Sequence, residues 1–144
     1  MTSSLAFKDL EFISNRSFDE IAVGDSACLE RTLTAADIQL FAALSGDVNP
    51  THVDPQFATA TSQAGVIAHG MWGASLISAV LGTRLPGAGT QYVAQTLKFK
   101  APVRIGDRLT VTVTVIAREP RTRQVSLDCS VARSSWRSPA RSRR

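Results

Sequence analysis

The densest run of groups able to move protons is Ser45-Gly46-Asp47-Val48-Asn49-Pro50-Thr51-His52-Val53-Asp54. A carboxylate and an imidazole five residues apart, on a stretch stiffened by Pro50, can converge on one point and supply a proton donor and acceptor near neutral pH. The alternative is that Asp47 and Asn49 only satisfy helix-end backbone groups while His52 faces solvent. The second histidine, His69, precedes Gly70 at the expected start of an apolar helix. Free amides point outward there, and the Gly70 N–H can donate to an oxygen that gains negative charge, with the helix dipole assisting. The competing reading is that Gly70 and Gly73 simply allow close packing, with His69 hydrogen-bonded in place. Other constellations are weaker. Gly87 and Gly89 form a turn rather than a phosphate loop, because no suitable strand precedes them and no helix follows. Ser75 sits in Gly73-Ala74-Ser75-Leu76-Ile77, which is not a nucleophile elbow. Lys98, Lys100 and Arg104 could meet phosphate groups, but charges alternating along a strand are usually a solvated face. Phe41, Phe57 and Trp72 read as core or pocket wall.

The elements that must hold these residues follow from periodicity. Residues 26 to 33 place Ala27, Leu29 and Leu33 on one face of a short strand, after a Gly24-Asp25 turn. Thr34-Ala35-Ala36-Asp37 is a capping box, and Ile38, Phe41, Ala42 and Leu44 predict a helix that Gly46 ends. Asp47 then opens a loop. Asp54-Pro55 starts a short helix to about Ala60. Gly70 to Leu81 is apolar or small on every side, which predicts a helix enclosed by protein, with Gly82 able to terminate it. Gln91 to Lys100 alternates Val93, Gln95, Leu97 and Phe99 against more polar neighbours and reads as a strand. After the Gly106-Asp107 turn, Leu109 to Val115 is the clearest alternation in the chain, and Val125, Leu127, Cys129 and Val131 make a further strand. A buried helix beside an antiparallel sheet with one apolar face is an α+β arrangement. The first fifteen residues read as an extended lead-in.

Composition bounds the rest. The 144 residues, 44% hydrophobic and 19% charged with mean hydropathy +0.02, suit one domain able to bury roughly 68% of its unfolded surface. No apolar stretch nears the ~18 residues of a membrane span, and Lys8, Asp9 and Glu11 occupy the region where a signal peptide is apolar, so a cytoplasmic protein without membrane partners is expected. Cys28 and Cys129, without a CxxC or a histidine cluster, suggest neither disulfide nor zinc. The net charge of +4 invites a nucleic-acid reading, but five arginines lie in residues 130–144, leaving 11 of the 16 basic residues against all 12 acidic ones. The remainder is slightly acidic and carries no reader motif, so no nucleic-acid partner is expected. The sequence thus divides into a domain at 1–131 and an Arg/Ser/Pro tail at 132–144, expected to be disordered.

Two clusters together carry a family resemblance. Phe41-Ala42-Ala43-Leu44-Ser45-Gly46-Asp47-Val48-Asn49-Pro50-Thr51-His52, followed by Val66-Ile67-Ala68-His69-Gly70-Met71, resembles the signature of the MaoC-like (R)-specific enoyl-CoA hydratases, and the likeness spans roughly residues 18 to 129. Through FDEIAVGD and HGMWG the chain is similar to the hydratase-like amino-terminal domains fused to phosphate acyltransferases. The resemblance implies a hot-dog fold, an antiparallel sheet wrapped around a central helix, paired as a homodimer. It also implies reversible hydration of a trans-2-enoyl-CoA to the (R)-3-hydroxyacyl thioester, with an acyl-CoA partner and neither metal nor redox cofactor. By motif Asp47 and His52 are the catalytic pair and Gly70 supplies the oxyanion amide. Asn49, His69, Met71, Trp72 and Ser78 are expected around the substrate, Ser78 as a supporting polar group and Asn49 chiefly holding the loop. The other readings are a dehydratase acting on an acyl-carrier thioester and a non-catalytic acyl-CoA-binding module, which would leave Asp47 and His52 dispensable. Two departures stand out. Thr51 replaces the usual aliphatic residue before the histidine, and the family's last long strand, due near residue 131, gives way to the basic tail. The abrupt change after Cys129 leads us to expect a truncated ending and a sheet lacking its last strand.

Overall fold

The alternation of Leu109, Val111, Val113 and Val115 forms the centre of the sheet, because each points to the same face and none is more than 1% exposed. In the computed structural model, which describes residues 13–134, this strand is β2 (Arg108–Glu119). Strand β1 (Ser26–Thr32) pairs antiparallel along one edge of β2, from Ser26 opposite Thr114 to Thr32 opposite Arg108. Strand β3 (Gln124–Arg133) pairs antiparallel along the other, from Leu109 opposite Arg133 to Glu119 opposite Gln124, with an irregularity between Val115 and Ala117. Cys28 and Cys129 lie on β1 and β3, separated by β2, and both are free. Burial and the nearby Asp128 carboxylate push the Cys129 thiol pKa up, away from the thiolate form.

Helix α1 (Ala35–Ser45) begins as its sequence dictates. The Asp37 N–H donates to Thr34 Oγ1 and the Thr34 N–H to Asp37 Oδ2, at 3.1 and 2.9 Å. It ends at Gly46, whose φ of +76° is costly for any residue with a Cβ. Two short helices follow, α2 (Pro50–Val53) and α3 (Pro55–Thr59), each with a proline at its first turn and a side-chain cap, Asn49 and Asp54 respectively. Helix α4 (Gly70–Thr83) lies against the sheet, with Leu76, Ile77, Val80 and Leu81 in one apolar cluster with the β2 residues. The α+β architecture, an antiparallel sheet packed on a central helix, is therefore as expected.

Four expectations differ from the structure. Gln91 to Lys100 forms no ladder with any described residue and is assigned no strand, since alternation selects a face but cannot supply a pairing partner. Helix α4 is not enclosed on all sides. Met71, Ser75, Ser78, Ala79 and Gly82 make an exposed stripe opposite the β2-facing residues, and the helix runs through Gly82 to Thr83. Residue 52 lies in α2 rather than in an irregular loop, because Asn49-Pro50 acts as a cap and first helical position. Strand β3 passes the expected boundary at residue 131, because backbone pairing of Ala132 and Arg133 with Thr110 and Leu109 does not depend on their side chains. The Ser134 N–H extends this by donating to the Arg108 carbonyl at 2.8 Å. The rest of the tail, 135–144, and most of the amino-terminal lead-in lie outside the described residues.

Candidate active site

The segment from Gly46 to Val53 folds on itself through short-range hydrogen bonds. Ser45 Oγ donates to the Phe41 carbonyl at 2.6 Å and accepts the Asp47 N–H at 3.1 Å. Asp47 Oδ1 accepts the Asn49 N–H at 3.2 Å, and Asn49 Oδ1 accepts the Thr51 N–H at 3.1 Å. This chain of turns delivers His52 to the first turns after the loop, facing the segment before α4. Two contacts fix that segment in turn: the Ala68 N–H donates to the Val103 carbonyl at 2.8 Å, and Ile67 bridges Arg104.

Two carbonyls set the imidazoles. His52 Nδ1 lies 2.8 Å from the Ile67 carbonyl, and His69 Nε2 lies 2.8 Å from the Asp47 carbonyl. A carbonyl only accepts, so His52 carries its proton on Nδ1 and leaves the Nε2 lone pair free, while His69 carries its proton on Nε2. The two rings stack with centroids 4.0 Å apart, and Phe41 covers His69 at 4.8 Å. His69 is only 3% exposed, and its Nδ1 is buried without a partner among the described residues. One side-chain ligand atom from each of Asp47, His52 and His69 lies within 4.8 Å of the others. They are the only cluster of three or more His, Cys, Asp or Glu groups among the described residues close enough together to hold a metal ion.

Gly70 is the first residue of α4, so its N–H has no acceptor within the helix and adjoins the histidines. The Phe99 ring covers it so closely that a Cβ at position 70 would stand 3.0 Å from the ring. His52, His69 and Gly70 open onto a cavity of about 1530 Å³ that runs between residues 91–100 and β3, and Asp47 stands on the exposed side of the cluster.

The structure thus brings together Asp47, His52, His69 and Gly70, which the sequence singled out, and gives Asn49 the loop-holding role of a helix cap. It separates the others. Met71 and Ser78 line a second, smaller cavity of about 290 Å³ with Phe41, Tyr92 and Gln95. Trp72 is 6% exposed in the core cluster and lines neither cavity, because one residue's rotation along α4 turns it from the Met71 face toward the sheet. What sequence reasoning missed is the Ile67 carbonyl, which sets the His52 tautomer. A backbone acceptor leaves no mark in residue type.

The sequence profile of the MaoC like domain matches residues 23–134. The chain belongs to the MaoC-like family. Among curated relatives, the MaoC-like chain is 54% identical over 117 residues to an (R)-specific enoyl-CoA hydratase of Rhodospirillum rubrum, covering 80% of this chain and 81% of that one. It is 46% identical over 113 residues to a 3-hydroxybutyryl-CoA dehydratase of Methylorubrum extorquens, covering 78% and 72%. A solved (R)-hydratase from A. caviae, described as involved in PHA biosynthesis, superposes with a TM-score of 0.75 at 43% identity, over 77% of this chain and 84% of that one. The fold of this MaoC-like domain is accordingly the hot-dog fold, with three strands among the described residues.

Proposed function

We propose that this protein hydrates trans-2-enoyl-CoA thioesters to (R)-3-hydroxyacyl-CoA and runs the reverse dehydration, with Asp47 and His52 as its acid–base pair. The observation that carries this is the convergence of the Asp47, His52 and His69 side chains, with ligand atoms within 4.8 Å of one another, beside Gly70 at the start of α4, whose N–H has no acceptor within that helix. The Asp47 carboxylate and the neutral imidazole hold one water between them. As the water oxygen bonds to C3 of the enoyl group, its proton passes to the pair, and the pair returns a proton to C2. The substrate gains one hydrogen and one hydroxyl, and the enzyme ends as it began. Between these events the thioester oxygen carries enolate charge, which the Gly70 N–H at the start of α4 stabilises. Proton transfer and oxyanion stabilisation need neither a metal nor a redox cofactor, so none is part of this reading. His69 positions the loop by donating to the Asp47 carbonyl. The relatives named as enoyl-CoA hydratase and hydroxybutyryl-CoA dehydratase support the acyl-CoA substrate and both directions of the reaction. A cytoplasmic homodimer completes the reading, and sedimentation equilibrium checks the pairing.

The test is hydration of crotonyl-CoA, followed as loss of enoyl-thioester absorbance. The wild-type protein is expected to turn over, and Asp47→Asn and His52→Ala are each expected to cut turnover strongly while leaving the circular dichroism spectrum intact. Near-normal rates in either variant overturn the assignment. Turnover of an acyl-carrier thioester but not of the CoA thioester would replace the substrate and keep the chemistry.

A further inference from the structure

The proton geometry of His52 rests on one backbone acceptor, the Ile67 carbonyl, 2.8 Å from Nδ1. Residues 60–69, which carry that carbonyl from α3 to α4, are turns and bends with a single bridging residue, Ile67 itself. Local bonds shape the segment: the Ala64 N–H donates to the Thr61 carbonyl at 3.0 Å, the Gly65 N–H to the Ala58 carbonyl at 3.1 Å, and the Ile67 N–H to the Thr51 carbonyl at 3.4 Å. Ala64 stands at φ +54°, in the left-handed region that a residue with a Cβ disfavours. Such a conformation persists only where its surroundings hold it. A carbonyl on this stretch can aim an imidazole only if something outside the stretch fixes it.

Arg104 does this. Of the three cations that the sequence offers to a phosphate, it is the one that turns onto the chain itself. Its Nη2 donates to the Gln63 carbonyl, and its Nη1 lies against Gly65, where a Cβ would stand 3.4 Å from it. A planar guanidinium can touch both points at once. The Arg104 backbone meanwhile bridges Ile67, and the Val103 carbonyl beside it accepts the Ala68 N–H at 2.8 Å. Arg104 is itself held from behind. Its N–H donates to Asp107 Oδ2 at 2.9 Å, and its carbonyl accepts the Asp107 N–H at 3.0 Å. This turn is tied in both directions to Leu33, which is 1% exposed: the Gly106 N–H donates to the Leu33 carbonyl at 2.8 Å, and the Leu33 N–H to the Asp107 carbonyl at 3.0 Å. A continuous line of bonds therefore runs from the core through Arg104 to the segment that sets His52.

We propose that Arg104 is a positioning residue for the hydration: by clamping residues 63–68 it keeps the Ile67 carbonyl on His52 Nδ1, which holds the proton there and leaves Nε2 as the base. The role rests on the acyl-CoA reading of the site, but the clamp itself does not. Gln63, Ile67 and Val103 line the cavity and Arg104 does not, so its side chain acts on the segment behind the imidazole rather than on a substrate in the cavity. Without the guanidinium, Ala64 is free to relax and the Ile67 carbonyl to swing. The tautomer then loses the bond that selects it. Displacing a reacting group by about 1 Å can cost 10²-fold in rate, so a loosened acceptor is felt in turnover and not in substrate affinity.

Arg104→Met tests this, because it keeps an apolar stem and removes every donor. Its kcat for crotonyl-CoA is expected to fall at least about tenfold with KM within about twofold of the wild type, and Arg104→Lys, which returns one donor, is expected to recover part of the loss. Nitrogen NMR of the full chain with ¹⁵N-labelled histidine, at a pH where imidazole is neutral, reads the clamp without reference to catalysis. His52, assigned by the signals lost in His52→Ala, is expected to carry its proton on Nδ1 in the wild type and to become a mixture of tautomers in Arg104→Met. An unchanged His52 spectrum in Arg104→Met overturns the proposal, whatever happens to the rate. So does a raised KM at unchanged kcat, which would make Arg104 a substrate contact. If the wild type does not turn over crotonyl-CoA, the substrate reading fails while the histidine spectra still decide the clamp. If Arg104→Met does not fold, Arg104→Gln, too short to reach the Gln63 carbonyl but suited to a half-buried place, is held to the same outcomes.

Discussion

Leu109–Val115 and Gln91–Lys100 carry the same period-two pattern and meet opposite fates. The first has a ladder on each edge and an apolar face closed by α4, and Leu109 is 1% exposed. The second has no ladder among the described residues, and Val93 is 72% and Phe99 60% exposed. Alternation tells a segment which face to bury, but a strand also has two edges, and only neighbours can satisfy those. The candidate site stands where these regions meet. Its polar groups hang from the closed side, through the Ile67 carbonyl and the Val103 and Arg104 contacts just before β2, while Phe99 of the open side covers Gly70.

If the closed side supplies the chemistry, removing a reacting group should cost far more than trimming the open wall. Asp47→Asn and His52→Ala are expected to lower kcat for crotonyl-CoA by about 10²- to 10⁴-fold. Val93→Ala, on the exposed wall, is expected to leave kcat within about twofold. Steady-state kinetics on the three variants breaks the comparison if Val93→Ala matches either of the others.

Stability should divide the same way. Leu109→Ala opens a cavity beneath α4 and is expected to cost about 2–5 kcal/mol, whereas Val93→Ala is expected to stay within about 0.5 kcal/mol. Urea unfolding checks both, and equal shifts would mean that the two stretches are packed alike. A smaller effect is expected where the closed side begins. Thr34→Ala removes the cap of α1 and should cost about 1 kcal/mol, read from the same urea midpoints, with no change in kcat.

This contrast also marks how far the sequence could be read. Strands β1, β2 and β3 and helix α1 were legible because each is decided by neighbours in sequence: period-two runs, the Thr34–Asp37 box, and Gly46 where a left-handed residue was required. Asp47, His52 and Gly70 were legible as chemistry, since a carboxylate, an imidazole and a helix-start amide are recognisable by type. The pairing of 91–100 was not, because it depends on residues far away in the chain. Neither was the inward turn of Trp72, which only the packing of α4 on the sheet decides, nor the Ile67 carbonyl that fixes the His52 proton. Helix α2 was hidden differently. The stretch from Asp47 reads as a loop stiffened by Pro50, although Asn49-Pro50 is equally a cap followed by a first turn.

The smallest effect compares the acidic residues of two capping boxes, Asp37 at the start of α1 and Glu20 in the short turn Phe18–Glu20. Burial pushes the Asp37 carboxyl up, but hydrogen bonds from the Thr34 amide and hydroxyl, with the Arg31 guanidinium 3.3 Å away, outweigh it and hold its pKa below the usual 3.8. The Ser17 N–H, 2.7 Å from Glu20 Oε2, lowers the Glu20 pKa in the same direction from 4.5, but that group is fully exposed. A depressed carboxylate stabilises the fold above its unfolded pKa and loses that contribution as pH falls through its folded value. The destabilisation by Asp37→Asn should therefore be constant near neutral pH and fade as pH drops below 3.8. Glu20→Gln should show a weaker trend of the same sign that added salt reduces, because solvent screens exposed groups. Thermal melts of both variants between neutral pH and strong acid read the difference, and an Asp37→Asn deficit that grows on acidification would contradict the sign.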